Sequence, residues 1–406
     1  MSHHDETAHR RETKPPRARS VHLEPGAVVP SATPAAQAGD PFVTTPAAYD
    51  AVLVSGFGGP EGQADVLPFL RNVTRGRGIP DERLEEVAHH YRVHGGVSPI
   101  GRQTRELGDA LREALAARGI DLPVYIGNRN WAPYLDDVLA SAARDGVRRI
   151  LAIPTSAYSS YSSCRQYRED WADALESAGL SGTLQIDKVR QFFSHPGFVE
   201  PFVEGVREGL AAAQRAGHPL DRIEVVFTTH SIPTADAERS GAGLFPDVAG
   251  GGYAAQHLAV AEQVMADAAP GVSWRLVYQS RSGAPGTPWL EPDVNDAIAG
   301  LEDRTAVLVV PIGFVSDHME VIWDLDREAR DTADARGVWM HRVPTPGTHP
   351  AFVAALVDLV EERIMGRTPE ARANTTSIGP WFDVCRPGCC AKAGAEASRA
   401  IAGIEP

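Results

Sequence analysis

A histidine at the end of one predicted strand and a row of carboxylates after another are the side chains best suited to chemistry. The run 223–230, IEVVFTTH, ends in His230. Imidazole is a good ligand for Fe(II), Ni and Zn and a base near neutral pH, although many strand-end histidines are only hydrogen-bonded core residues. Further along, Glu320, Asp324 and Glu328 are spaced so that a helix places them on one face. This acidic ladder is either a solvated surface or a guide for a divalent cation and for protons.

The four cysteines form the second candidate site. Cys385, Cys389 and Cys390 crowd the polar tail, where we expect no core to fill, and Cys164 lies far upstream. Buried packing therefore explains them poorly, and a cluster of this kind points to a metal site. Four thiolates suit tetrahedral Zn or a [2Fe–2S] cluster, and a redox-active pair of Cys389 and Cys390 is a third option.

Glycines follow the first predicted strand, in the sequence GFGGP of residues 56–60. This segment is no dinucleotide fingerprint, because Glu61 stands where the third glycine belongs and Pro60 lacks an N–H. The glycines indicate either a tight turn that needs positive φ or a loop lying against a flat ligand.

The elements that position these residues are short apolar runs alternating with longer amphipathic segments. Strands are predicted at 51–57, 124–128, 149–156, 183–189, 223–230, 274–280, 306–314 and 338–343. Helical patterns occupy 103–117, 164–178, 198–216, 319–335 and 350–365. This alternation predicts right-handed crossovers and an α/β fold of two similar Rossmann-like lobes, each a four-stranded parallel sheet flanked by helices. Ligands of such sheets bind at the carboxyl ends of the strands.

The composition divides the chain into four regions. We expect a disordered arm at 1–45, an N-terminal lobe at 46–215, a C-terminal lobe at 216–366 and a cysteine-bearing tail at 367–406. The last helix of the C-terminal lobe, 350–365, is expected to pack across both lobes. The arm is rich in Pro, Ala, Thr and charge, and ordering it would bury little apolar surface.

The charge balance excludes several classes of protein. The 406 residues contain 39 Lys and Arg against 53 Asp and Glu, a formal charge of -14. Such a surface is a poor match for nucleic acid. No apolar stretch approaches the ~20 residues of a membrane span, and the first residues contain no apolar signal segment. We therefore expect a cytoplasmic enzyme.

Several segments, in order over about residues 50–366, resemble those of ferrochelatases. They read DAVLVSGFGGPEG, YRVHGGVSPIGRQT, FTTHSIP, YQSRSG with PWLEPDV, and PIGFVSDHMEVIWDLD. The Ala/Arg-rich composition, the arm and the cysteine tail are similar to actinobacterial members, which resemble coproporphyrin ferrochelatases and of which many carry a [2Fe–2S] cluster. The resemblance thus implies a chelatase-like fold and such a cluster on Cys164, Cys385, Cys389 and Cys390.

The resemblance also implies roles for individual residues. His230 matches the active-site histidine, and Glu320 matches the carboxylate that faces it across the porphyrin. Asp324 and Glu328 continue the family's acidic ridge. The remaining substrate-binding candidates are Ser98 and Arg75 for propionates, Tyr167 for the porphyrin, and Phe57, which stands where some relatives have a Tyr able to reach the iron. Arg129 is a further cation for the propionates.

The expected reaction is the insertion of Fe(II), as a substrate, into coproporphyrin III with loss of two protons, in haem biosynthesis. Enzymes that act later in that pathway are possible partners. Alternatives are a cobalt or nickel chelatase acting on sirohydrochlorin, a non-catalytic haem or tetrapyrrole carrier, and a regulatory iron–sulfur protein.

Overall fold

A computed structural model describes residues 41–282, 286–395 and 398–403. Residues 1–40 of the predicted arm lie outside this description. Residues 41–45, which we assigned to the arm, instead belong to the folded body. Val43 is fully buried, and its N–H donates to Asp383 in the tail over 2.8 Å.

All eight predicted strands are present, although several are shorter than predicted. The structure has β1 (Ala51–Gly56), β2 (Val124–Asn128), β3 (Arg149–Pro154), β4 (Gln185–Lys188), β5 (Ile223–His230), β6 (Ser273–Gln279), β7 (Ala306–Val310) and β8 (Trp339–Arg342). The run that continues to residue 314 stops forming a strand at Val310, because Pro311 has no N–H to donate.

The strands form two parallel sheets of the same design. Their orders are β2-β1-β3-β4 and β6-β5-β7-β8, with every pairing parallel. Strands β1, β5 and β7 are almost entirely buried, as expected for parallel strands covered by helices on both faces. The predicted architecture of two α/β lobes is therefore confirmed.

The helices lie between and beyond these strands. They are α1 (Val66–Val73), α2 (Asp81–Arg92), α3 (Pro99–Ala117), α4 (Leu135–Arg144), α5 (Gln166–Ser177), α6 (Pro196–Arg215), α7 (Thr234–Glu238), α8 (Gly251–Ala268), α9 (Val294–Ala299), α10 (Met319–Val321), α11 (Arg330–Ala335) and α12 (Pro350–Met365). Two π-helical segments, Tyr161–Arg165 and Ile322–Ala329, precede α5 and α11. Within the described residues, no helix is both long and apolar enough to cross a membrane.

Helix α6 lies on the second sheet, although we placed it in the N-terminal lobe. Gly205 of α6 packs against Val343, and Gly209 packs against Leu308 of β7. A Cβ at either glycine would stand less than 3 Å from its neighbour, so the absence of side chains allows this close approach. In the other direction, α12 packs on α3 and α6. Each half of the chain thus contributes a helix that packs on the other half.

The tail is part of the main hydrophobic core, contrary to our expectation. Trp381 and Phe382 are buried, and Cys385, Cys389 and Cys390 belong to the same cluster of core residues. The tail is polar in overall composition, so its few large apolar residues were not recognised as core residues from the sequence. They contact the rest of the core only in the folded chain.

Buried ion pairs join α12 to the rest of the molecule. Arg190 donates two hydrogen bonds to the carboxylate of Glu362, at 2.8 and 3.0 Å, and both residues are almost completely buried. Arg372 and Asp383 make a similar buried pair at 2.7 Å. Such pairs fix the docking of a segment because neither charge can be left alone in the interior.

Replacing Glu362 with Ala should therefore destabilise the protein strongly. Arg190 would remain buried without its carboxylate, which costs about 3–5 kcal/mol of unfolding free energy. The matched control is Glu361→Ala, which removes a partly exposed pair with Arg118 and should cost about 1 kcal/mol or less. Denaturant unfolding of both variants tests this, and equal losses would contradict it.

Candidate active site

His230 occupies the carboxyl end of the central strand of the second sheet. It lies beside Gln279 in the parallel register of β5 and β6. The hydroxyl of Tyr253 donates to the His230 carbonyl oxygen at 2.8 Å and bonds Thr229 Oγ1 at 2.7 Å, which holds the strand end in place. The Nδ1 atom of His230 donates to the carbonyl oxygen of Ser231. Because a carbonyl can only accept, the proton sits on Nδ1 and Nε2 is directed elsewhere.

That other ring nitrogen meets Glu320. His230 Nε2 and Glu320 Oε2 are 3.6 Å apart, and their side chains are 31% and 50% exposed. The pair therefore lines an open cleft. A flat ring between two atoms needs about 7 Å, which is twice a van der Waals contact. The observed separation is about half of this, so the expected gap for a porphyrin between His230 and Glu320 is absent. A tetrapyrrole can enter between these groups only after the side chains separate.

Each member of the pair favours the charged form of the other. Burial lowers the pKa of His230. The Glu320 carboxylate and the hydrogen bond to Ser231 raise it by more than burial lowers it, so the net shift of this pKa is upward. Burial raises the pKa of Glu320, and the facing His230 more than offsets this and lowers it to about 2. The neighbouring His318 has a pKa lowered by burial, so it is the more readily neutral imidazole of the two.

Asp324, the second carboxylate of the acidic ladder, behaves in the opposite way. Burial and the nearby Glu320 charge raise its pKa to about 7. Its carboxylate accepts hydrogen bonds from Ser280 Oγ and, at 3.3 Å, from Gln279 Nε2. Asp324 therefore gains or loses a proton near neutral pH, one helical turn from Glu320.

Glu328 ends the acidic ladder beside an aromatic contact between the lobes. The Trp323 indole N–H donates to Glu328 at 2.7 Å, and the Trp323 ring stacks on His90 of α2 with centroids 3.9 Å apart. The guanidinium group of Arg327 lies 4.8 Å from the centroid of the Trp323 ring. The ladder thus runs from His230 to a point where both halves of the molecule meet.

Arg129 directly follows β2, at the carboxyl edge of the first sheet, where it forms a wall with aromatic neighbours. Its guanidinium pairs with Asp170, lies 4.6 Å from the Tyr167 ring centroid and 5.7 Å from that of Phe57. Tyr167 is only 4% exposed and bonds Thr155, so in this conformation it supports Arg129. The buried Nη2 atom of Arg129 has no hydrogen-bond partner within the described residues.

Ser98 and Arg75 lie on loops near this wall. Ser98 is buried, precedes α3, and leaves no room for a side chain at Gly59, whose virtual Cβ would be 2.8 Å from the Ser98 Cβ. Gly58 has φ of +80°. The predicted tight turn with positive φ is therefore present, and Gly59 allows the close approach of Ser98. A loop lying against a flat ligand stays a prediction. Arg75 hydrogen-bonds Asn72, whose amide donates to the Asn130 carbonyl beside Arg129.

Three contributors to the site were not assigned roles from the sequence. His318 caps the start of α10, Gln279 donates to both Asp324 and the Glu320 carbonyl oxygen, and Tyr253 fixes the His230 backbone. The strand-end position of Gln279 was a usable signal. Tyr253 gave none, because its contact with His230 spans a loop and a helix.

The four cysteines are brought together in the interior. Cys164 Sγ and Cys390 Sγ are 3.8 Å apart, and Cys389 Sγ and Cys390 Sγ are 3.6 Å apart. All four are buried free thiols. Hydrogen bonding from Cys390 lowers the pKa of Cys164, and the hydrogen bond from Cys385 lowers that of Cys389. The Gly241 N–H also donates to Cys390 Sγ at 3.4 Å.

A cavity of about 190 Å³ lies next to the His230 strand end. This volume is below the range of about 300–1,000 Å³ that encloses a drug-sized ligand, so the cavity is too small to enclose a larger substrate. The cavity is lined by Ser231, Tyr278, Arg281, Leu290, Glu291, Pro292, Asp293 and Asp296.

The raised pKa of Asp324 predicts a pH-dependent stability cost. The folded protein keeps this proton up to about pH 7, whereas the unfolded chain releases it near 3.8, so stability falls as pH rises between these values. Asp324→Asn removes the cost and should raise Tm at pH 8 by about 1–4 °C, with no gain near pH 4. Thermal melts across this pH range measure it. The exposed Asp331→Asn is the control, and a gain that is independent of pH would contradict the assignment.

The chain is similar to several known proteins. The family model described as Ferrochelatase matches residues 49–364. A protein named coproporphyrin III ferrochelatase from Leifsonia xyli is 58% identical over 386 residues, covering 92% of this chain and 99% of that protein. One of the same name from Streptomyces griseus is 53% identical over 360 residues, covering 85% and 94%. The solved structure of SirB from Bacillus subtilis with Fe3+ is 13% identical, with a TM-score of 0.45, and covers 81% of this chain and 100% of that one.

The match to the family model spans both sheets and the whole candidate site, and identity to the relatives extends over most of the chain. The chain belongs to the ferrochelatase family.

Proposed function

We propose that this protein inserts Fe(II) into coproporphyrin III and releases two protons, a step of haem biosynthesis. The observation that carries the proposal is the direct contact of His230 and Glu320 at the strand ends of the second sheet, with the acidic ladder behind it. Relatives covering most of the chain at 52–58% identity carry the name coproporphyrin III ferrochelatase, which supports the same substrate here. The four free thiols fit a reducing, cytoplasmic location.

Metal insertion requires the His230 and Glu320 side chains to separate around the substrate. A flat porphyrin directs its nitrogen lone pairs into the ring, so a cleft that favours a bent ring lowers the barrier selectively. The Nε2 atom of His230 is the ring nitrogen that faces Glu320, because Nδ1 is held by the Ser231 carbonyl oxygen. In the neutral form of the ring, Nε2 can accept a pyrrole proton or bind metal. Breaking the contact with Glu320 releases both groups for this work.

The acidic ladder provides an exit for the protons. Glu320 is the stronger acid, with a pKa of about 2, and Asp324 holds a proton up to about pH 7. While His230 faces Glu320, a proton on Glu320 is therefore better held by Asp324, one step nearer to Glu328. The same carboxylates attract a divalent cation on its way in.

Propionates of the substrate require cations at the rim of the cleft. Arg129 is mostly neutralised by Asp170, but its Nη2 atom has hydrogen-bonding capacity left. Arg75 is tied to the same wall through Asn72. Phe57, which is partly exposed, supplies apolar surface beside Arg129 on which a ring can lie, and the buried Tyr167 supports Arg129 from behind.

We further propose that Cys164, Cys385, Cys389 and Cys390 hold a [2Fe–2S] cluster. Sulfurs bound at about 2.3 Å to one tetrahedral metal lie about 3.8 Å apart, close to the observed 3.8 and 3.6 Å. Within the described residues, no group of three or more His, Cys, Asp or Glu is arranged to hold a single metal ion. A two-iron cluster needs only two thiolates at each metal, so one of these two pairs, which share Cys390, would bind one iron and the remaining two cysteines would bind the other.

Anaerobic turnover tests the function. The wild-type protein should convert coproporphyrin III and Fe(II) to the iron porphyrin, followed by visible absorbance. It should convert protoporphyrin more slowly and sirohydrochlorin with Co(II) or Ni(II) at background rate. Faster turnover of sirohydrochlorin would identify the alternative chelatase, and porphyrin binding without insertion would identify a carrier.

His230→Ala should lower kcat by at least about 100-fold, the contribution of one positioned acid–base group, while porphyrin binding survives. Porphyrin fluorescence measures the binding and absorbance measures the rate. His218→Ala is the control, because His218 precedes β5, at the opposite end of that strand from His230, and its ring contacts Thr305 and Trp339. Unchanged turnover in the His230 variant would remove this residue from the mechanism.

Cys390→Ser should remove the visible absorption of the cluster and lower Tm, because Cys390 contacts two other thiols and the Gly241 N–H. Turnover per folded molecule should change little, since the thiols lie outside the proposed reaction path. Anaerobic absorbance and metal analysis provide the measurement. A colourless wild-type protein would indicate Zn or free thiols instead.

A further inference from the structure

Lys188, the last residue of β4, is a buried ammonium group without a carboxylate partner. It is 1% exposed. Its Nζ donates to the Val189 carbonyl oxygen at 3.3 Å and to Gln191 Oε1 at 3.2 Å, both neutral acceptors. Across the described parts of the chain, no Asp or Glu comes within ion-pair distance of it. A buried charge without a counter-charge is strongly unfavourable, so an anion is expected nearby.

The cysteine thiols can supply such an anion, because a thiol becomes a negatively charged thiolate when it binds metal. Gln191 also donates to the Ser156 carbonyl oxygen at 3.3 Å, and Ser156 Oγ bonds Ser163 Oγ at 2.7 Å, next to Cys164. Lys188 is close enough to act electrostatically on three of the four thiols, those of Cys164, Cys385 and Cys389. Its ammonium group thus borders the cysteine group.

Arg168 is a second buried cation on the same side. It lies one helical turn after Cys164 and is fully buried, and its Nε donates to the Ile401 carbonyl oxygen at 2.6 Å. Its guanidinium fills the space beside Gly403, which pairs with Cys385. Its charge acts on Cys385 and Cys389.

We propose that Lys188, assisted by Arg168, is the counter-charge of the metal–thiolate group held by the four cysteines and that it raises the reduction potential of that group. This inference rests on the proposed [2Fe–2S] cluster. Four thiolates, two sulfides and two ferric ions make a dianion, and one-electron reduction makes a trianion. The buried Lys188 ammonium group, with a contribution from Arg168, offsets part of the charge of the first state. It stabilises the second state more, because the negative charge of that state is greater.

Lys188→Met tests the proposal by redox titration of the purified, cluster-containing protein. The visible absorption should be retained, and the reduction equilibrium should shift about tenfold toward the oxidised form, which is about 59 mV to lower potential for one electron. Lys188→Gln should shift it in the same direction. Lys392→Met is the matched control, because this exposed lysine lies two residues from Cys390 and solvent screens its charge.

A thermal measurement separates this role from a merely structural one. With the cluster present, Lys188→Met should lower Tm. In the cluster-free Cys390→Ser background it should raise Tm, because a buried cation that has lost its anion is removed. A lysine that only fills space would change Tm in the same direction in both backgrounds.

The outcomes distinguish this inference from the cluster itself. A coloured wild-type protein whose potential is unchanged by Lys188→Met overturns the role of Lys188 and leaves the cluster in place. A wild-type protein that is colourless and free of metal overturns both.

Discussion

Strands of a parallel sheet all end at the same edge, and the candidate site depends on this constraint. His230 and Gln279 are brought side by side by the register of β5 and β6, while the chain after β7 returns Glu320 to the same edge. The first sheet has the same strand order and contributes Arg129 from the end of β2. Function at this edge needs no special fold, only side chains of the right chemistry where the strands stop.

The site places several carboxylates close together, and the His230 imidazole offsets only part of their mutual repulsion. His230 stabilises the Glu320 carboxylate and lowers its pKa, but the Glu320 charge in turn raises that of Asp324. The acidic ladder is therefore graded, with a strong acid next to the histidine and a group that titrates near neutrality beyond it. A uniform row of carboxylates in water would lack this gradient, which arises from partial burial of groups only a few ångströms apart.

A second polar centre lies in the interior, where the two ends of the described chain meet. Val43 and Arg372 both bond Asp383, and the tail then continues into the buried thiols. Segments that are polar and irregular in sequence thus complete the main core. Their burial explains why α12, the tail and the cysteines form one unit with the lobes rather than an appendage to them.

The sequence alone determined the parallel α/β architecture, the strand-end position of His230 and the helix that carries Glu320, because periodicity and strand ends are local properties. It also predicted the four cysteines as one group. The exchange of α6 between lobes, the burial of the tail, the direct contact of His230 and Glu320 and the isolation of Lys188 were decided by tertiary structure. Each depends on packing between segments distant in the chain, which no local pattern records.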